Sequence, residues 1–429
     1  MNLYPHQVEG LKQTEGKQNC ALYWDMGLGK TFGGSEKMRE YGNRVNLVVC
    51  QKSKIQDWFN HFCNNYSDLG YSFLVLTNKN ELEYFSETSL NRKATLKVIG
   101  IINYELAWRR KELLKLKEFT LLLDESSLIQ NPTAKQSKFV LKLGDNAKNV
   151  ILLSGTPTSG RYENLWTQIH LLGWNISRKL YESQYVNWET LQLGQNLIRI
   201  PDRKDPYKNV ERLKRKLREN GAVFMKTEEC FELPEQTFIE VNVKVSSEYR
   251  KFMKTSVVTL EDGSELIGDT TLTKLLYARE LCGQYSKSKL EAFKSLVEST
   301  NDRLIVFYNF TPELAELEGI AHSLDRPYSL ITGSCKRLDE YENDDNSLTF
   351  VQYQAGAMGL NLQKANKIIY YSLPLRSELF EQSKKRIHRI GQEKPCFYYI
   401  MKCTGSVEEK IYKTLQMRKD FTDELFKDC

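Results

Sequence analysis

No apolar run in the 429 residues is long enough to cross a bilayer. Residues Met1 to Gly10 are polar and lack the apolar core of a secretory signal. The nine cysteines are scattered, with no C-x-x-C pair and no companion histidines at zinc-ligand spacing. These absences argue against a membrane span, a disulfide framework and a zinc module. They point instead to reduced thiols in a cytosol-like compartment, cytoplasmic or nuclear. Internal repeats and low-complexity tracts are also missing. The net charge of +6 is mild, so a nucleic-acid partner is permitted but not demanded. With 41% hydrophobic and 27% charged residues, the composition is that of an ordinary globular protein, long enough for two or three domains.

What is present centres on Asp25-Met26-Gly27-Leu28-Gly29-Lys30-Thr31. The apolar residues 21–24 before it read as a buried strand, and 32–41 after it as a helix. Strand, glycine turn and helix start together make a phosphate cradle. Gly27 and Gly29, with Leu28 between them, let backbone N–H groups turn inward with no Cβ in the way. The helix N-terminus adds partial positive charge. Lys30 can reach terminal phosphates, and the Thr31 hydroxyl can ligate Mg²⁺. Trp24 stands where the first glycine of G-x-x-x-x-G-K-[ST] belongs, so a plain glycine turn capping a helix is the competing reading. Upstream, the Gln7 amide can both donate to and accept from an adenine edge, although a surface glutamine at a helix start would look the same.

Apolar runs follow at 45–50, 73–76, 97–102, 119–123 and 149–153, with helical stretches at 54–63, 104–117 and 134–143. Strands alternating with helices predict a parallel sheet covered on both faces, with ligands at the carboxyl ends of its strands. Polar clusters fall at those ends. Lys52 and Ser53 follow one strand, and Asn103 and Tyr104 another. All four carry groups suited to phosphate oxygens, although for each taken singly a solvated loop is the better reading. Asp124-Glu125-Ser126-Ser127 ends a fully apolar strand, where two carboxylates are costly unless they have a task. Asp124 can hold Mg²⁺, and Glu125 can deprotonate an attacking water, with a structural salt bridge as the competing reading. Ser154-Gly155-Thr156-Pro157 ends the next strand, and its hydroxyls can link a nucleotide site to movement.

Taken in order, these motifs resemble the Swi/Snf family of DNA-dependent ATPases, within helicase superfamily II. The resemblance extends over nearly the whole chain. Residues 304–310 (Leu-Ile-Val-Phe-Tyr-Asn-Phe) look like motif IV, and 354–362 (Gln-Ala-Gly-Ala-Met-Gly-Leu-Asn-Leu) like motif V. Residues 382–392, ending Arg386-Ile387-His388-Arg389-Ile390-Gly391-Gln392, look like motif VI. The resemblance implies two RecA-like α/β lobes, residues 1–230 and 231–429, with ATP and Mg²⁺ in the cleft between them. It implies that Arg386 and Arg389 act as finger residues on the phosphates, and that Gln392 and Gly359 also border the nucleotide. DNA contacts are implied at Lys52, Ser53, Asn103, Tyr104, Asn309, Phe310, Gly333 and Gln354. Two features depart from the family pattern. Motif II reads Asp-Glu-Ser-Ser in place of Asp-Glu-Ala-His or Asp-Glu-Gly-His, which leaves open the coupling made by its last residue. No flanking accessory module is visible, so a compact viral, plasmid or bacterial motor is expected.

From 174 to 220 the alternation stops, and the segment turns strongly basic. A small helical insertion in the first lobe is expected there, at about 175–222. Arg212, Arg215 and Lys216 would share one helix face, available to a DNA backbone or simply to solvent. Strands of the second lobe are expected at 303–307, 328–331, 348–351, 367–371 and 397–401, with helices at 286–299 and 376–386. The tail 407–426 has helical periodicity and is expected to brace the lobes. The function expected is ATP-driven tracking on double-stranded DNA. A strand-separating or branch-migrating helicase, an RNA-directed ATPase and a non-catalytic nucleic-acid scaffold are the alternatives.

Overall fold

The computed structural model describes residues 3–91, 95–193, 196–356 and 360–427. The chain divides into two compact units. One holds the residues up to Cys230 and those from Asp420 onward, and the other is Phe231–Lys419. Each is built on a seven-stranded sheet, and the α/β class expected from the alternation is what is found.

The strands of the first unit are β1 (Cys20–Trp24), β2 (Val45–Cys50), β3 (Tyr71–Val75), β4 (Lys97–Asn103), β5 (Thr120–Asp124), β6 (Asn149–Leu153), β7 (Trp188–Leu193), β8 (Asn196–Pro201) and β9 (Ala222–Met225). The main sheet runs β3-β4-β2-β5-β6-β1-β9, and every pairing in it is parallel. All five residues of β1 are fully buried, from Cys20 to Trp24. Each large apolar side chain so buried contributes about 1.5–3 kcal/mol. The order shows that β1 does not pair with β2. The chain leaves β1, forms the helix Lys30–Tyr41, passes over β6 and β5, and returns as β2. That reversal opens a crevice at the carboxyl end of β1, where ligands of open α/β sheets collect.

The strands of the second unit are β10 (Gln236–Lys244), β11 (Val257–Thr259), β12 (Glu265–Ile267), β13 (Leu304–Tyr308), β14 (Tyr328–Ile331), β15 (Lys336–Arg337), β16 (Leu348–Gln352), β17 (Lys367–Tyr370) and β18 (Cys396–Thr404). Its main sheet runs β10-β18-β17-β13-β16-β14-β15, parallel throughout except for the short edge pair β14–β15. The edge strand β10 alternates half-buried and exposed residues, a weak signal that apolar runs do not reveal.

Three expectations about local structure fail. Residues 104–117 do not form one helix. They form a single turn, Tyr104–Ala107, and a 3-10 segment, Lys111–Lys115. Leu113 within that segment and Leu116 just after it both reach the core. The insertion is not wholly helical either. Between the helices Arg178–Tyr185 and Val210–Glu219 lies the antiparallel hairpin β7–β8, and β9 already belongs to the main sheet. Across the hairpin the Arg199 guanidinium stacks over the Trp188 ring at 4.6 Å, a pairing that becomes visible only once the strands meet. Thirdly, the helix expected over 376–386 is Ser377–Lys384, so Arg386 and Arg389 lie in the turns after it.

Glycine matters where the helix Lys30–Tyr41 crosses β1. A Cβ on Gly33 would fall 2.6 Å from Cζ3 of Trp24 and 3.0 Å from Leu22 Cδ1. Trp24 is fully buried and has nowhere to go. Gly33→Val should therefore destabilise the protein by about 1–3 kcal/mol through overpacking. A urea-unfolding midpoint equal to that of the wild type would show that the ring can yield.

Candidate nucleotide-binding site

Asp124 in β5 pairs with Leu153 in β6, which pairs with Leu22 in β1. The loops after these three adjacent strands therefore begin at nearly the same level. They carry Asp25–Thr31, Glu125–Ser127 and Ser154–Pro157, which brings the three first-lobe clusters of the sequence together.

Gly27 and Gly29 take left-handed φ values of 92° and 75°. Gly29 is required twice over, because a Cβ there would come 2.2 Å from Nε2 of Gln7. Gln7 is 3% exposed; its Oε1 accepts from the Tyr4 N–H at 3.0 Å, and its Nε2 donates to the Leu28 carbonyl at 3.1 Å. The structure thus uses Gln7 to brace the loop, and its amide retains capacity for a further partner. Nε2 of His6 donates to the same carbonyl at 3.1 Å. The Lys30 ammonium arches back over its own loop, donating to the carbonyls of Trp24 at 2.9 Å and Asp25 at 3.1 Å. Thr31, next on the helix, is half-buried. Left-handed glycines, an ammonium, a hydroxyl and two carboxylates are the donor set for a phosphate and a divalent cation. A Cβ at Gly27 would meet nothing within 4 Å, so the loop is open there.

The indole N–H of Trp58 donates to Asp124 Oδ2 at 2.9 Å. Burial raises the pKa of Asp124, while that hydrogen bond and the charges of Lys30 and Lys54 oppose the rise. Glu125 has φ 51°, a left-handed conformation that costs a non-glycine residue about 1–3 kcal/mol and is tolerated where the surroundings enforce it. Ser126 Oγ donates to Gln168 Oε1 at 2.8 Å.

Asn103 and Tyr104, expected as DNA contacts, are buried and bonded within the first unit. Asn103 is 6% exposed and its amide donates to Glu105 at 2.7 Å. Tyr104 is 1% exposed, and its hydroxyl donates to the Asp124 carbonyl at 2.8 Å. Asn103 ends β4 and Tyr104 follows it, inside the sheet, so their polar groups are drawn to nearby polar partners. Lys52 and Ser53, by contrast, are exposed. On the helix Val210–Glu219, Arg212 and Arg215 are exposed and Lys216 is partly so. Lys216 pairs with Glu219 at 2.7 Å and Arg215 with the same carboxylate at 3.9 Å, which halves their charge.

In the second unit, Gly333 and Gln354 are exposed. The Asn309 amide donates to Ser372 Oγ at 2.9 Å and to the Leu373 carbonyl at 3.1 Å, so it is committed to its own unit. The Phe310 ring lies 4.8 Å from the Arg279 guanidinium. Arg386 is 2% exposed and donates to the Leu360 carbonyl at 3.4 Å, and Arg389 is half-buried. The helix before them ends at Lys384, so both arginines are placed by the turns that follow it. Gln392, expected beside the nucleotide, is 8% exposed and is engaged with backbone groups of its own unit. Its Nε2 donates to the carbonyls of Ala365 at 2.9 Å and Gln363 at 3.1 Å, and its Oε1 accepts from Lys394 N–H at 3.0 Å. It ties motif VI to the loop before β17. Gly359 lies outside the described residues.

Sequence reasoning missed Trp58, Gln168 and Tyr104 as partners of motif II, because each meets it only through the fold. It also missed a grouping of Cys282, Cys403 and Glu408, whose ligand atoms lie within 4.8 Å of one another. That carboxylate is already engaged. Lys289 Nζ pairs with it at 2.6 Å, and the Cys403 N–H donates to it at 2.9 Å.

A strand, a left-handed glycine loop and a helix start with a carboxylate pair alongside define a P-loop type of nucleotide site. The SNF2-related domain matches residues 6–287, and the helicase conserved C-terminal domain matches 288–391. The chain belongs to the SNF2-related family, and nucleotide use follows from that membership. It is 23% identical over 466 residues to YwqA of Bacillus subtilis (strain 168), covering 99% of this chain and 48% of that protein. It is 22% identical over 433 residues to the SWI/SNF-related matrix-associated actin-dependent regulator of chromatin subfamily A-like protein 1 of Xenopus laevis, covering 97% of this chain and 43% of that protein. The chain thus spans about half the length of these relatives. Among solved structures it is similar to the Sulfolobus solfataricus SWI2/SNF2 ATPase core in complex with dsDNA, at TM-score 0.46 and 19% identity, over 99% of this chain and 92% of that one. Among the described residues, no helix is long and apolar enough to cross a membrane.

The raised pKa of Asp124 has a consequence for stability. A carboxyl whose folded pKa lies above its unfolded value favours the fold most when protonated, and that contribution is lost as pH rises through the raised value. Asp124→Asn, which can keep the Trp58 hydrogen bond, should therefore raise the melting temperature of the nucleotide-free protein at neutral pH. The gain should vanish below the ordinary carboxylate range. Melting curves across pH check this, and a loss of stability at neutral pH would contradict it.

Proposed function

We propose that this chain is a DNA-dependent ATPase that hydrolyses ATP to ADP and phosphate, with Mg²⁺, while tracking on double-stranded DNA. The observation that carries the reading is the convergence of Lys30, Asp124 and Glu125 at the ends of adjacent strands. The first unit is the ATP-binding lobe and the second the helicase C-terminal lobe. Lys30 holds the terminal phosphates, and Thr31 and Asp124 hold the metal ion, which neutralises charge on the transferring phosphoryl group. Glu125 accepts the proton of the attacking water. Arg389, and Arg386 once released from Leu360, supply guanidinium charge to the transition state. Duplex DNA as the track rests on family membership. Lys52, Ser53, Gly333, Gln354 and the face of Arg212, Arg215 and Lys216 are its contacts in this reading.

One observation favours strand separation as a second reading. The hairpin β7–β8 stands outside the main sheet and exposes Leu197 at 72%, an apolar side chain of the kind that wedges between bases. ATPase and unwinding assays with duplex, single-stranded, forked and four-way DNA, and with RNA, separate the readings. Stimulation by plain duplex with third-strand displacement from a triplex supports tracking, and efficient opening of a forked duplex supports separation. In the same assays Glu125→Gln should keep ATP binding and lose turnover on the order of a hundredfold or more. Normal turnover would remove Glu125 from the base role.

The basic helix yields a separate expectation. Replacing Arg212, Arg215 and Lys216 with Gln should weaken duplex binding and flatten its salt dependence by up to about 0.9 log unit of slope per lost phosphate contact. Glu219→Gln should do the reverse, because it releases two of those cations from their shared carboxylate. If neither variant changes the salt slope, the helix face serves only solvent.

A further inference from the structure

Gln168 lies on the helix Trp166–Leu171 and is completely buried. No sequence motif marks it. Its Oε1 accepts from the Tyr23 hydroxyl at 3.0 Å and from Ser126 Oγ at 2.8 Å. Its Nε2 donates to the Pro157 carbonyl at 2.7 Å. The carbonyl can only accept, so it fixes which end of the amide faces which partner. One side chain therefore joins β1, the loop that carries Glu125 and the loop that follows β6. Gln130 adds a second bond to the same Pro157 carbonyl, at 3.2 Å.

One residue of this link, Ser126, is among the two that depart from motif II of the family. The family pattern has Ala or Gly at position 126 and His at 127, and this chain has Ser at both. Neither Ala nor Gly has a side-chain donor, whereas Ser126 has one and spends it on Gln168. The lost histidine and the gained hydroxyl are adjacent. Glu125, immediately before Ser126, sits in a left-handed conformation that its surroundings must hold. An anchored Ser126 supplies that hold from the following residue.

We propose that Gln168 is a positioning residue that couples the Glu125 loop to the loop at residues 154–157, in place of the missing motif II histidine. It touches no reacting atom. It acts by keeping the Glu125 carboxylate where an attacking water must be, and by transmitting any shift of Pro157 to Ser126. The proposal rests on the reading of this chain as a DNA-dependent ATPase.

The test is a double-mutant cycle on the full chain. Gln168→Met keeps the volume and removes all three bonds, and Ser126→Ala removes only the bond to the Glu125 loop. Steady-state kcat and KM for ATP are measured with and without saturating duplex DNA, beside the melting temperature. Each single variant should lower kcat on DNA on the order of tenfold or more, as small misplacements of a catalytic group do. KM should stay within about twofold, because the loss falls on the transition state alone. The double variant should be no worse than Gln168→Met, since both changes break one link. A merely structural role would lower the melting temperature and leave kcat alone. If Gln168→Met does not fold, Ser126→Ala decides alone. Unchanged kcat in a folded Ser126→Ala, or losses that multiply in the double variant, would overturn the role of Gln168. A wild type with no DNA-stimulated hydrolysis would overturn the ATPase reading itself.

Discussion

Parallel pairing of β5, β6 and β1 is the constraint on which the rest of the first unit depends. The pairs Asp124 with Leu153 and Leu22 with Leu153 set three loops at one level. A slip of one residue would turn every side chain of the slipped strand to the other face. The register is held by close packing on both buried faces, where a swapped set of side chains would clash or leave voids. The chemistry of the site therefore depends first on the packing of Leu, Ile and Tyr side chains some distance from any phosphate.

The same core tolerates two local costs at the strand ends. Asp124 is a carboxylate held in a desolvated place, opposed by one indole N–H and by lysine charges. Glu125 is held in a backbone region that side chains avoid. A site strained in this way is stable only because the sheet beneath it is not strained. Tyr104 and Trp58 belong to this support. Tyr104, expected from the sequence as a DNA contact, serves the Asp124 backbone, and Trp58, which no motif marks, serves its side chain.

The second unit applies a similar economy to its polar residues. Gln392, Asn309 and Arg386 all donate to backbone carbonyls of their own unit. Loops after parallel strands carry carbonyls that no neighbouring strand can satisfy. Long amide and guanidinium side chains close them at short range. A motif residue can therefore be distinctive partly because it shapes a loop.

Sequence by itself determined the α/β class, the places of most strands and the phosphate loop. These follow from short-range facts: apolar runs of strand length, left-handed glycines before Lys30-Thr31, and carboxylates at the end of an apolar run. It also carried the family, through motifs whose order does not depend on the fold. Tertiary structure alone decided which polar residues were free to act. Asn103 and Tyr104 face inward, the hairpin β7–β8 replaces a helix, and the helix before Arg386 stops early. Gln168 belongs to the same class. Its three partners lie 145, 42 and 11 residues away along the chain. Periodicity and spacing act over one or two helical turns, whereas a hydrogen bond forms wherever the folded chain brings a donor to an acceptor.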